Sequence, residues 1–138
     1  MKILIVGGCG FLGSNLASYG ILNGYDVTVF DNLSRLGAYE NLKWLKSLGK
    51  LTFVHGDTRC RNDVDTVIKS GNYDAVFHLA GQVAMTTSIA NPYNDFLINT
   101  MGTLNVLDSI RMYSPNTVMA FSSTNKVYGD LEQYTYEE

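Results

Sequence analysis

MKILIVGGCGFLGSNLA, residues 1–17, decides how the chain is read. Ile3 to Val6 is a short, wholly apolar run, the pattern of a strand buried on both faces. From Phe11 to Asn23 the large apolar residues Phe11, Leu12, Leu16, Tyr19 and Leu22 fall near helical spacing, and Gly24 closes the helix. Between the two elements the chain is almost bare of side chains. Gly7, Gly10 and Gly13 spell G-x-x-G-x-x-G, and Gly8, Gly10 and Gly13 spell the tighter G-x-G-x-x-G. The first glycine lets the strand turn sharply, the middle one lets a diphosphate touch the backbone, and the last lets the helix pack close to the sheet. The helix N-terminus then offers free N–H groups and partial positive charge to phosphate oxygens.

Working outward, strands are expected at Asp26–Phe30, 51–55, 75–79 and 117–121. Helices are expected at 39–48, where Leu42, Leu45 and Leu48 recur, at 63–69, and from Pro92 to about Tyr113. In the last of these Phe96, Leu97, Met101, Leu104, Leu107 and Ile110 form one wide apolar stripe, Pro92 opens the helix and Pro115 stops it. Strand and helix alternate five times. Short crossovers of this kind require a parallel sheet covered on both faces, a doubly wound α/β (Rossmann) fold that binds ligands at the carboxyl ends of its strands.

The totals agree with one such domain and exclude other classes. The chain has 138 residues, 46% hydrophobic and 17% charged, enough for a packed core. A net charge of −3 gives no basic field for nucleic acid, so no nucleic-acid partner is expected. No apolar run reaches the roughly 18 residues of a membrane span, and the start has no signal-peptide layout, so a cytoplasmic protein without a membrane partner is expected. Cys9 and Cys60 make no CxxC pair and read as reduced thiols. His55 and His78 begin no metal-ligand spacing, so no metal is expected.

Asp31 ends the second strand at about the distance from the glycine turn where a ribose-binding acid belongs. Its carboxylate can accept hydrogen bonds from both ribose hydroxyls of an adenosine and would repel a 2′-phosphate, which favours NAD over NADP. Arg35 points the other way, because a nearby arginine can accommodate that phosphate. The competing reading is a plain turn with Asp31 as a helix cap. The order strand, glycine turn, helix, acid is the context that a dinucleotide site requires.

GGCGFLG, DNLSR (31–35), HGD (55–57), HLAGQVA (78–84), NTMGTLNVLD (99–108) and SSTNKVYGD (122–130) together resemble the extended short-chain dehydrogenase/reductases, the family of nucleotide-sugar epimerases and dehydratases. GGCGFLGSNLAS, QVAMTTS and STNKVYGDLEQY are most similar to its CDP-sugar 2-epimerase branch. The resemblance implies NAD as cofactor, a nucleotide-sugar substrate with a CDP-sugar favoured, and epimerisation by transient oxidation to a keto sugar. It implies that Phe11 and Leu12 present backbone N–H groups to the diphosphate. Asp31, Asn32, Ser34 and Arg35 would border the adenosine ribose, and Asp57 and Thr58 the adenine. Leu79, Ala80, Gly81 and Gln82 would line the path to the nicotinamide ribose, with Asn99 near the active site and Ser122 beside the nicotinamide. Thr124 matches the Ser/Thr of the catalytic set. The 92–113 helix matches half of the family's dimer bundle, so a homo-oligomer is expected.

The family's Tyr-x-x-x-Lys pair is missing at its usual place. The one match, Tyr39 and Lys43 in YENLK, follows the second strand on the adenosine side and reads as a surface feature. Lys126 and Tyr128 run in the wrong order. The chain therefore reads as the N-terminal part of a longer enzyme, without the acid/base pair or the substrate lobe. Little or no turnover by these residues alone is expected, together with an apolar face left exposed. Asn125-Lys126 after Thr124 replaces the Asp-Glu of the dehydratases. The alternatives are a UDP-sugar 4-epimerase or other extended family member, and, in another class, a non-catalytic NAD-binding module. His78 reads as a packed residue orienting its loop, or else a proton shuttle. Cys9 reads as a buried filler, or else a thiol activated by the helix N-terminus. Met85, Thr86, Thr87 and Ser88 read as a loop that either borders the substrate or caps a helix.

Overall fold

The computed structural model describes residues 1–124; Asn125, Lys126 and Tyr128 lie outside the described residues. Five strands, β1 (Lys2–Val6), β2 (Asp26–Asp31), β3 (Thr52–His55), β4 (Ala75–His78) and β5 (Val118–Phe121), pair in parallel in the order β3-β2-β1-β4-β5. Six helices connect or follow them: α1 (Phe11–Leu22), α2 (Ala38–Leu48), α3 (Arg61–Gly71), α4 (Met85–Ala90), α5 (Pro92–Asp95) and α6 (Gly102–Tyr113). The chain winds outward from β1 to β3, then resumes beside β1 with β4. The crevice that such a reversal opens lies outside the carboxyl ends of β1 and β4.

β1 shows why both faces must be covered. Ile3 and Ile5 join Ala17, Leu42 and Leu45 on the α1–α2 side, and Leu4 and Val6 join Val64, Ile68 and Val106 on the α3–α6 side. Each fully buried aliphatic side chain of this kind contributes roughly 1.5–3 kcal/mol. The α3–α6 contact is edged by Arg61, which pairs with Asp65 at 2.7 Å and Asp108 at 2.8 Å. Lys43 and Tyr39 form an exposed surface pair on α2, the ammonium 5.0 Å from the ring centroid.

Two helices turn faces toward the core that the apolar stripes do not mark. On α1 the buried residues are Gly13, Ser14, Ala17 and Gly20, while Phe11, Leu12, Tyr19 and Leu22 are exposed. The helix sits too close to the sheet for large side chains, so the small ones face inward. In the 92–113 stretch the helix is not uniform. Asn91 caps its start by accepting from Asn94 N–H at 3.0 Å, and Pro92 occupies the first turn. A π-helical segment, Phe96–Met101, then precedes α6, with Gly102 N–H donating to Leu97 five residues back. Such a wide turn rotates everything after it. The core side of α6 becomes Gly102, Asn105, Val106, Ser109 and Ile110. Of the expected stripe only Ile110 is buried, and Phe96, Leu104 and Leu107 face outward. A third difference is α4. Residues 85–88 belong to a helix, not a loop, with Ser88 Oγ donating to Asp95 at 2.6 Å.

Candidate functional site

The glycine turn behaves as its spacing predicts. Gly7 has φ +81°, and a Cβ there would stand 2.6 Å from the backbone nitrogen of Ala80. Its N–H donates to the Phe30 carbonyl at 2.8 Å, which ties the turn to the end of β2. A Cβ on Gly13 would overlap the Gly7 carbonyl oxygen and lie 2.6 Å from Gly8 Cα, so α1 can begin directly against the turn only with glycine there. Cys9 between them is buried, and burial, with a smaller push from Asp31, raises its thiol to about 12. It is a filler and not an activated thiol. Asn41 of α2 donates to the Cys9 carbonyl at 2.8 Å and holds the turn from outside. No periodicity or motif marked Asn41.

Asp31 closes β2 with both carboxylate oxygens engaged. Oδ2 accepts from Cys9 N–H at 2.9 Å and Oδ1 from Leu33 N–H at 2.8 Å. The second bond supports Leu33 at φ 55°, a left-handed conformation unusual for leucine. Each oxygen keeps a further lone pair. Asn32 Oδ1 accepts from Ser34 N–H at 3.0 Å, and Asn32 Nδ2 donates to Asp57 at 2.9 Å. Asp57 is held well below the usual carboxylate range, chiefly by the Arg59 guanidinium, which donates to it at 2.6 and 3.0 Å. Arg59 also reaches Asn94 at 2.9 Å. Thr58 is buried, and its carbonyl accepts from Asn105 Nδ2 at 2.8 Å, a clamp that sequence patterning did not single out.

On the other side of β1, Leu79 N–H donates to the Val6 carbonyl at 2.8 Å. Asn99, in the π segment, grips the following loop: its Oδ1 accepts from Gln82 N–H at 2.8 Å and its Nδ2 donates to the Gln82 carbonyl at 3.0 Å. Arg35 Nη2 donates across to Gln82 Oε1 at 2.7 Å and to the Gly81 carbonyl at 3.3 Å.

These loops enclose one cavity of about 980 Å³. Gly7, Gly10, Gly13, Phe11 and Leu12 form its floor; Asp31, Asn32, Ser34, Arg35, Asp57 and Thr58 one wall; Leu79, Ala80, Gly81 and Gln82 the other. Asn99 is outside that lining, and its Nδ2 donates to Asp95 Oδ1 at 3.0 Å as well as to the Gln82 carbonyl. Ser122 and Thr124 follow β5 and are exposed outside the lining, and Ser122 N–H donates to the His78 carbonyl at 3.2 Å. Trp44, the one tryptophan in the sequence, also lines the cavity.

His78 is fully buried at the end of β4, against the Phe121 ring. Thr103 Oγ1 donates to the Asn99 carbonyl at 2.6 Å, so at 3.0 Å it accepts from His78 Nε2–H. The ring is therefore the neutral Nε2–H tautomer, with Nδ1 buried and without a hydrogen-bond partner among the described residues. Desolvation lowers its pKa to about 4. The unfolded chain takes up this proton below about 6.5, and the folded chain does not until about 4. Stability conferred by neutral His78 is thus present above pH 6.5 and is lost on acidification toward pH 4, by about 3 kcal/mol in all. Urea unfolding from pH 7 to 4.5 should show this slope. His78→Phe should flatten it, and an unchanged slope in that variant would remove His78 as its source.

An open parallel sheet that reverses at β1 and leaves its cleft over a glycine-rich turn is a Rossmann-type α/β protein. Residues 4–138 match the family model described as GDP-mannose 4,6 dehydratase, and the chain belongs to that family. Along its whole length it is 63% identical to CDP-paratose 2-epimerase of Salmonella typhi, covering 41% of that protein. The UDP-Glc/GlcNAc 4-epimerase of Campylobacter jejuni superposes with a TM-score of 0.86 at 29% identity, over 94% of this chain and 39% of that one. The Thermus thermophilus UDP-glucose 4-epimerase, solved in complex with NAD, gives 0.72 at 32% identity, over 82% of this chain and 34% of that one. The chain spans about two-fifths of the length of the Salmonella protein and of most of the curated relatives it matches.

Proposed function

We propose that the cavity binds NAD and that the chain forms the cofactor-binding part of a nucleotide-sugar epimerase, a CDP-paratose 2-epimerase that inverts C2 through a transient keto sugar. The observation that carries the cofactor reading is Asp31, oriented by two backbone N–H groups beside a turn that no side chain obstructs. The residues present suit the dinucleotide. Phe11 and Leu12 at the start of α1 offer N–H groups to a diphosphate, and the free lone pairs of Asp31 suit the ribose hydroxyls. Asn32, Ser34, Asp57 and Thr58 border the adenosine, and Leu79, Ala80 and Gln82 shape the nicotinamide end. Asn99 acts on that end by holding Gln82. Ser122 and Thr124, at the carboxyl end of β5, are assigned to the nicotinamide and to the reacting oxygen. NAD supplies reversible hydride acceptance at the sugar carbon.

The CDP-sugar reading rests on the 63% identity to the Salmonella protein. A UDP-sugar 4-epimerase is the second reading, favoured by the fit to the Campylobacter enzyme. A Tyr-x-x-x-Lys pair near the nicotinamide is not among these 138 residues, so turnover by them alone is expected to be negligible. Self-association through the 92–113 helix is part of the proposal, since Tyr93, Phe96, Leu104 and Leu107 are exposed along it.

Trp44 provides the test. NAD⁺ should change its fluorescence saturably, NADP⁺ should do so far more weakly, and Asp31→Ala should weaken the NAD⁺ response. A folded protein whose Trp44 signal and calorimetric heat ignore NAD⁺ would sink the cofactor reading. A chain of the relatives' length carrying this segment should invert C2 of CDP-paratose, read by NMR. Turnover of UDP-glucose alone would select the second reading.

A further inference from the structure

Arg35 had two possible uses in the sequence, at the adenosine ribose or as a seat for a 2′-phosphate. The structure sends its guanidinium elsewhere. Arg35 follows β2 and its partner Gln82 follows β4, and β1 lies between those strands. The hydrogen bond therefore spans the carboxyl edge of β1, two strand spacings or roughly 10 Å from the end of β2. Beneath that edge is the glycine turn.

Both ends of the bridge are held in place. The Arg35 carbonyl accepts from Ala38 N–H at 3.0 Å, fixing the loop before α2. Gln82 has its backbone N–H and carbonyl both gripped by Asn99, and its Nε2 donates to the Ala84 carbonyl at 3.2 Å, which turns Oε1 toward Arg35. Two arginines line the cavity. Arg59 is paired with Asp57, whereas Arg35 has no carboxylate partner among the described residues and donates only to neutral oxygens. No carboxylate among the described residues offsets this cation, and a guanidinium has five N–H donors, more than these two oxygens use, to offer to phosphate oxygens.

We infer that Arg35 and Gln82 form a latch across the dinucleotide cleft that governs release of the cofactor. The inference rests on the proposed NAD site. A dinucleotide reaching from Asp31 to the Gln82 loop must run under the bridge, so the bridge opens for entry and recloses over the diphosphate. An epimerisation that removes and returns the same hydride consumes no cofactor. Slow release then costs no turnover, and it keeps the reduced cofactor in place while the sugar is a ketone.

The test is the rate at which bound NADH leaves, followed by energy transfer from Trp44 after a chase with excess NAD⁺. Wild type, Arg35→Met, Gln82→Leu and the double variant are compared, with NADP⁺ affinity measured in parallel. Each single variant should release NADH about 3–10-fold faster, and the double variant no faster than the quicker single; tenfold corresponds to about 1.4 kcal/mol. If Gln82→Leu is silent, or the two effects multiply, Arg35 acts alone and the latch is wrong while the site stands. If Arg35→Met lowers NADP⁺ affinity and leaves NADH release unchanged, Arg35 is a phosphate seat and the latch is wrong. If the wild type binds no dinucleotide, the cofactor reading and the latch fall together.

Discussion

Replacing Gly7 by alanine is expected to lower the unfolding free energy by about 2–5 kcal/mol and to abolish dinucleotide binding. Two costs combine. At φ +81° an L-residue is strained, by roughly 1–2 kcal/mol. The new Cβ would also lie 2.6 Å from Ala80 N and 2.7 Å from Ala80 Cα, and these are backbone atoms that no rotamer change can move. Relief requires the Leu79–Ala80 segment to shift away from β1, at a further cost of about 1–3 kcal/mol, as for other overpacked sites. That shift would also open the cavity wall. Gly24→Ala is the control, because Gly24 has φ +73° and nothing within 4 Å of its Cβ position. It should lose about 1 kcal/mol through strain alone and bind normally. Urea unfolding of both variants separates the contributions, and equal losses would show that the approach of Ala80 is not what demands glycine.

Asp31→Ala is expected to weaken NAD⁺ binding by about two orders of magnitude and to remove the preference over NADP⁺. A hydrogen bond to a charged group is worth about 1.5–3 kcal/mol, and two ribose hydroxyls are in question. The substitution also strips Cys9 N–H and Leu33 N–H of their acceptor, which loosens the turn proposed to carry the diphosphate. Asp31→Asn separates these effects. Its single carbonyl oxygen can serve one N–H, while its amide nitrogen faces the other and repels it. It should therefore fall between wild type and alanine in affinity, and it should tolerate NADP⁺ better than wild type because the negative charge is gone. Calorimetry with both dinucleotides decides the matter. An undiminished NAD⁺ affinity in Asp31→Ala would refute the ribose role of this residue.

The order of elements and the glycine turn were legible because they depend on local chemistry. Short apolar runs alternating with longer helical patterns and bounded by turn residues are the pattern of a parallel α/β sheet. Gly7 and Gly13 occupy the positions where a Cβ cannot fit, and Asp31 sits at the end of β2 as its spacing required. Tertiary contact decided which way the helices face. On α1 and α6 the large apolar residues mark a stripe, but the inward face of α1 is Gly13, Ser14, Ala17 and Gly20, and that of α6 is Gly102, Asn105, Val106, Ser109 and Ile110. Periodicity reports that a helix has two faces. It does not report how closely the sheet approaches, and a close approach selects the small side chains. The π turn at Phe96–Met101 compounds this by rotating α6 relative to any pattern counted along the chain.

The partners of Arg35, His78 and Asn99 belong to the same category. Arg35 meets Gln82 only because β2 and β4 flank β1 in the folded sheet, and His78 meets Thr103 only because α6 crosses behind β4. The sequence by itself determined the parallel α/β fold, the glycine turn and the acid beside it, since each follows from the steric and charge demands of a few adjacent residues. The tertiary structure alone decided helix phase, the clamps on the cleft and the course of Arg35, because those contacts join residues far apart in the chain and depend on strand order.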